Sequence, residues 1–368
     1  MRRFLQLLLT KSIIKLANKY SSSPNKKRVF KALSKLQQTL LNEPGKRGLV
    51  IPFDIHKDKF IILSDQHKGA RDDADDFALA EKNYLAALDH YNSNNFYYIN
   101  LGDSEELWEN LLITVKRHNK NTFEKEKLFI NRNAFAKVFG NHDLYWDNDP
   151  LAQVNLMEIY GKAIRIYEGM VLQTRINSKP LNIFMTHGHQ GDLQSDGNWF
   201  SKWFVSNVWG PVQAYLRINP NTPSNNDDLK TIHNEMMSEW SAKQTNTLLI
   251  TGHTHQPVFQ SLTHIEMLYL ELDKAKKIND QKNIDSLQRQ IDERHLKGDT
   301  TLNFKGYRPT YFNSGCCCFD DGDITGIEVA DGCIRLIKWK YDNVGNSIRE
   351  ILSECDLETL VNEIEAGA

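Results

Sequence analysis

No two cysteines of this chain are spaced as CxxC, and its five cysteines are an odd number, with Cys316, Cys317 and Cys318 side by side. A disulfide framework and a zinc knuckle are thereby excluded, and a reducing compartment, the cytoplasm, is expected. The chain also lacks an apolar run able to span a bilayer. In "MRRFLQLLLTKSIIKLANKY" the stretch from Phe4 to Leu9 contains Gln6 and stops at Lys11. It is short for a signal core and lacks a small-x-small cleavage site. Internal repeats are missing. So is a strong net charge, at −2 over 368 residues.

What is present is a globular balance, 40% apolar and 25% charged residues, with material for a sizeable core. The charge is unevenly spread. Residues 1–48 hold twelve Lys or Arg against one acid, Glu43, which leaves the remainder acidic. This basic, helical N-terminal arm invites an anionic membrane surface on its inner face, while the acidic body disfavours a nucleic-acid groove. Lys11, Lys15 and Lys19 recur beside Leu and Ile as in an interfacial helix. A surface helix packed on the body is the alternative.

Five segments share one pattern. "FIILSDQH" (60–67), "FYYINLGDSEELWE" (96–109), "AFAKVFGNHD" (134–143), "LNIFMTHGHQGD" (181–192) and "NTLLITGHTH" (246–255) each run from an apolar stretch into Asp, Asn or His. Each reads as a buried strand feeding a polar loop, and helical spacing in "FALAEKNYLAALDHY" (77–91) separates the first two. Strands alternating with helices predict a layered α/β sheet, whose sites gather beyond the C-terminal ends of its strands. The five loops are therefore expected to converge.

Two stretches break the rhythm. Around 190–245, Trp199 and Trp203, and Phe200 and Phe204, stand four apart, and Leu229, Ile232, Met236 and Trp240 follow at helical spacing. In 264–297, Ile265, Leu268, Leu272 and Ala275 form one stripe, and Ile284, Leu287 and Ile291 form another out of phase with it. A two-helix hairpin turning near "NDQKN" accounts for the break. Strands joined at Asp331-Gly332 are expected beyond, with the cysteine triplet on a strand and Cys316 and Cys318 on one face. Residues 346–368 read as a tail.

The loops supply Asp65 and His67, Asp103, Asn141 and His142, His187, and His253 with His255. Carboxylate, amide and imidazole without thiolate suit Mn²⁺, Fe²⁺ or Zn²⁺. Residues i and i+2 of an extended segment project to one side, so D-x-H and H-x-H are ligand spacings. Seven ligands are too many for one ion and natural for two sharing a carboxylate. Two metals about 3.5–4 Å apart clamp a phosphoryl group and generate hydroxide near neutral pH. Lys68 and Arg71, just after "DQH", have two readings, a phosphate contact or a solvated loop.

In order, "DQH", "GDSEELW", "GNHD", "THGH" and "GHTH" resemble the signatures of the calcineurin-like metallophosphoesterases, over Asp65 to His255. The resemblance implies a four-layer α/β fold, a β-sandwich flanked by helices, spanning 49–345 with a helical cap near 190–245 and the hairpin at 264–297. It implies that Asp65, His67, Asp103 and His255 hold one divalent ion and that Asp103, Asn141, His187 and His253 hold the other. His142 is then the proton donor or a phosphate contact, oriented by Asp143. The implied activity is hydrolysis of a phosphate ester or pyrophosphate by metal-activated hydroxide.

"GDSEELW" and an insertion between the fourth and fifth motifs are similar to the branch of UDP-2,3-diacylglucosamine hydrolases. That likeness implies a lipid-linked or nucleotide-sugar substrate, with the aromatic helices lining an acyl pocket. His142 stands where that branch often has Arg. A phosphoprotein phosphatase is the alternative, although the chain lacks a basic cluster after "GNHD". A non-catalytic scaffold is another, and the intact ligand set argues against it.

Overall fold

The computed structural model describes residues 25–71, 75–191, 227–296 and 308–366. The Lys11, Lys15 and Lys19 stretch and the aromatic run Trp199 to Phe204 lie outside the described residues.

Two seven-stranded sheets organise the chain. The first contains β1 (Gly48–Pro52), β6 (Gly169–Ile176), β7 (Lys179–Thr186) and β8 (Thr247–Thr251), then β11 (Tyr311–Asn313), β9 (Val258–Phe259) and β10 (Leu262–Thr263). The second contains β14 (Ser347–Asp356), β13 (Cys333–Tyr341) and β12 (Ile324–Ala330), then β2 (Phe60–Leu63), β3 (Tyr97–Leu101), β4 (Phe135–Val138) and β5 (Ile166–Tyr167). β2 to β5 are parallel, as are β7, β8 and β11.

Alternation along each strand explains the layering. Phe60 and Ile62 face inward with Ile99, Leu101 and Val138, against Met170, Leu172, Ile183, Met185 and Ile250 of the other sheet. Their neighbours Ile61 and Leu63 point the opposite way, onto Phe77, Ala80, Tyr84 and Leu88 of the helix Phe77–Ser93. Buried on both faces, such strands read as unbroken apolar runs. The helix Lys26–Asn42 covers the far face of the first sheet through Val29, Leu33, Leu36 and Leu40, beside Trp240 of the helix Asp227–Ser241. Each such side chain contributes roughly 1.5–3 kcal/mol on burial. The order is helix, sheet, sheet, helix. This is the expected four-layer α/β sandwich.

The two stripes beyond residue 264 lie on the helices His264–Lys277 and Gln281–Leu296, joined through Leu268, Leu272, Ala275, Leu287 and Ile291. Thr263 and Glu266 form a capping box at the entry. At the Asp331-Gly332 turn both residues have positive φ, as a tight hairpin requires.

Two expectations need correction. The cysteine triplet lies in the loop after β11, where Cys317 N donates to Asp65 O at 3.0 Å and the thiols are buried. Residues 347–366 are built into the body: β14 pairs along β13, and Leu357, Leu360, Val361 and Ile364 of the helix Leu357–Ala366 enter the inter-sheet core.

Candidate metal centre

All five polar loops leave the C-terminal ends of strands: β2, β3 and β4 in one sheet, β7 and β8 in the other. Stacking the sheets brings the loops together. The backbone there is unusual, because Asp65, His67, Asp103, His253 and His255 all have φ between 49° and 71°. Left-handed backbone is disfavoured for residues with a Cβ and concentrates at functional sites. Two motif glycines are set by close approach. A Cβ on Gly140 would lie 2.1 Å from Asp103 Oδ1, and one on Gly252 would lie 2.3 Å from Asp65 Oδ2. No side chain fits either position.

The donor atoms converge in two overlapping halves. His67 Nε2 lies 3.2 Å from His255 Nε2, and His255 Nε2 lies 3.3 Å from Asp65 Oδ1. On the other side His187 Nε2 is 3.0 Å from Asp103 Oδ2 and 3.2 Å from Asn141 Oδ1. Asp103, His187 and His253 form one tight group, with donor atoms all within 4.8 Å of one another. Asp103 joins the halves: its Oδ2 is also 3.9 Å from His67 Nε2. Every sequence-predicted ligand is here, and all but His255 are buried.

The electrostatics fit a cation. Burial works against a charged His67, but the Glu106 carboxylate outweighs it and holds the ring up to about 10. Burial likewise opposes charge on His187, yet Asp103 and Asp65 push it up to about 9. Asp103 ionises well below the usual carboxylate range despite its burial, because His187 and His142 face it. His67 and His187 sit in a negative field that a divalent ion would compensate. Burial holds His253 and His255 below the ordinary imidazole range, so these two rings are neutral, as a ligand must be. The set is nitrogen and oxygen, which suits borderline divalent ions.

A match to the calcineurin-like phosphoesterase family covers residues 58–257, more than half of the chain and every one of these candidate ligands. The chain is a calcineurin-like phosphoesterase. The family is dinuclear and metal-dependent, and the chain is a metal-dependent phosphoric ester hydrolase. No curated protein matches it. Among solved structures it is similar to vacuolar protein sorting 29 from Cryptosporidium parvum, at 13% identity and a TM-score of 0.33, covering 81% of this chain and 98% of that one. A dimetal phosphatase from Danio rerio matches at 7% identity and a TM-score of 0.30, covering 80% and 99%. A putative 5'-nucleotidase from Staphylococcus aureus matches at 12% and 0.31, covering 84% and 58%.

Around His142 the geometry of this phosphoesterase departs from expectation. Asp143 does not orient the ring; it accepts from Gly140 N at 2.6 Å and Ser104 N at 2.9 Å, tying the third loop to the second. The carboxylate at His142 is Glu106, whose Oε2 lies 2.7 Å from Nδ1 and also accepts from His67 Nδ1 at 2.8 Å. The His142 contact is short but does not meet the geometry of a hydrogen bond, and it is an ion pair when the ring is protonated. Trp108 stacks on a face of the His142 ring, with centroids 4.1 Å apart. The signal for both was present in "GDSEELW", three and five residues beyond Asp103.

Lys68 is no phosphate contact. It is wholly buried, 2.7 Å from Glu126 and 3.2 Å from Glu105, while Lys137 Nζ and Trp146 Nε1 close on the same Glu105. Tyr160 and Tyr84 donate to Glu126. This ion network fastens the first three loops behind the site. Arg71 is likewise engaged, by Glu81 and Asn119.

Proposed function

We propose that Asp65, His67, Asp103 and His255 hold one divalent ion and that Asp103, Asn141, His187 and His253 hold the second, with Mn²⁺, Fe²⁺ or Zn²⁺ as candidates. The observation that carries this reading is the placement of Asp103 Oδ2 between His187 and His67. Bound there, divalent ions supply Lewis-acid polarisation of a phosphoryl oxygen and lower the pKa of water. Asn141 contributes a neutral oxygen and so leaves its ion more electrophilic than a carboxylate would.

His142 is the proton donor in this reading. Glu106 faces Nδ1, which leaves Nε2 to meet the leaving oxygen. Burial opposes its protonation, but Glu106 and Asp103 raise its pKa. Glu106 and the stacked Trp108 fix the ring, so the proton is held at a defined place. Glu106 also fixes His67, so one carboxylate serves a ligand and the acid together.

The substrate we propose is an amphiphilic phosphoester or pyrophosphate, such as a lipid-linked nucleotide sugar, reached from a membrane surface. Supporting it, Leu111 and Ile113 stand largely exposed just beyond Trp108, on and before the helix Leu112–His118. Leu151, Val154 and Met157 are exposed on or beside the helix Ala152–Tyr160, which is joined to the first by a Lys116–Glu158 ion pair. Exposed aliphatics gathered on two linked helices offer apolar contact. Among the described residues no helix is long and apolar enough to cross a membrane. Turnover of a UDP-linked diacyl sugar, an aryl monoester and an aryl diester, each with and without chelator, tests the reading. Loss of all turnover on chelation is expected, with preference for the acylated substrate; preference for the soluble esters would overturn the amphiphile.

A further inference from the structure

Three imidazoles of the centre reveal their second ring nitrogen's partner. His67 Nδ1 donates to a carboxylate, Glu106, at 2.8 Å. His187 Nδ1 donates to a backbone carbonyl, Leu101 O, at 3.0 Å. His255 Nδ1 faces a sulfur, Cys318 Sγ, at 3.8 Å. Metal-binding histidines are normally fixed through the nitrogen turned away from the ion, by a carboxylate, a carbonyl or water, and the strength of that partner tunes the ligand.

We propose that Cys318 is the positioning residue for His255, holding its ring through an Nδ1–H···S contact as a thiol outside the coordination shell. The proposal rests on the two-ion reading above. His255 turns Nε2 toward Asp65 Oδ1 and His67 Nε2 and leaves Nδ1 to Cys318. The thiol also lies within 4.8 Å of a His67 ring nitrogen, so the test must separate a thiol outside the coordination shell from a thiolate ligand. The thiol is held for the task. Cys318 is buried, and the preceding residue is stitched to the Asp65 loop by Cys317 N donating to Asp65 O at 3.0 Å. The same loop therefore carries a ligand and sets the partner of another.

Sulfur is a weak hydrogen-bond acceptor. His255 is thus the least firmly held of these three rings, and the ion it shares with Asp65 and His67 is expected to be the more readily lost of the two. Cys317 provides the internal control, since it is a buried thiol of the same loop whose side chain packs into the core beside Ile61 and Tyr84.

The test is chelator titration of wild type, Cys318→Ala, Cys318→Ser and Cys317→Ala, counting ions per chain, with melting of the metal-free proteins alongside. Cys318→Ala should weaken one ion by roughly 10–100-fold and leave the other unchanged. Cys318→Ser, which keeps an acceptor, should recover part of the loss, and Cys317→Ala should resemble wild type. Metal-free melting should be alike in Cys318→Ala and Cys317→Ala. Equal affinities in wild type and Cys318→Ala would overturn the proposal, as would an equal loss of both ions. A sulfur-to-cobalt charge-transfer band in the Co²⁺-loaded protein would place the thiol among the ligands and also overturn it. A wild type that binds fewer than two ions refutes the two-ion reading instead, a distinct result.

Discussion

His142 lies nearly flat against Trp108, the ring planes 23° apart and the centroids separated by 4.1 Å. An indole face stabilises a neighbouring cation by about 0.5–2 kcal/mol. The stack and the Glu106 carboxylate at Nδ1 therefore both favour the protonated imidazole.

His142→Ala is predicted to keep both ions and to lose activity by roughly 10²–10⁴. The loss should shrink for esters whose leaving group needs no proton. Ion counting beside the kinetics checks this, and loss of metal in the variant would make His142 a ligand.

Glu106→Gln removes the charge that serves two rings. Because Glu106 raises the His142 pKa, the variant's pKa falls, and the alkaline limb of the pH–rate profile should move to lower pH. The sign follows from the role: activity needs the protonated ring and is lost as pH rises through its pKa. Affinity for the ion at His67 should also drop, by about 10–100-fold. An alkaline limb that stays in place would contradict the assignment.

The strand-end ligands were legible because each buried strand is an apolar run and the change to Asp, Asn or His marks its end. The partner of His142 was not. Asp143 is its neighbour in sequence, but its carboxylate turns back to Gly140 and Ser104, whereas Glu106 arrives from another loop. Contacts between loops leave no periodicity to read. β14 was missed for a related reason: it is an edge strand with no fully buried residue, so "SIREILSECD" reads as polar. The cysteine triplet resembled a strand by composition, yet it serves as a loop bonded to Asp65.

Lys68 and Glu126 pair wholly out of solvent, 2.7 Å apart. Removing one partner leaves a buried charge unpaired, at a cost of about 3–5 kcal/mol. Glu126→Ala should therefore lower the denaturant midpoint sharply, while a surface change such as Glu124→Ala should leave it nearly unchanged. Equal midpoints in the two variants would show that the network is not part of the scaffold's stability.

Ile113→Ser and Leu111→Ser alter residues that are 73% and 64% exposed, so neither should disturb folding. Both are predicted to slow hydrolysis of a lipid-linked substrate several-fold more than that of a soluble ester. Deleting residues 1–25 should weaken salt-sensitive binding to anionic vesicles without changing turnover of the soluble ester. Equal losses on both substrates would remove the amphiphilic reading.

The central claim is that one carboxylate, Asp103, supports two ions. Metal analysis of the purified chain, beside Asp103→Ala under identical loading, tests it most directly. Two divalent ions per chain in the wild type and loss of both in the variant are predicted. One tightly bound ion in the wild type, or a variant that sheds only one of two, would contradict it.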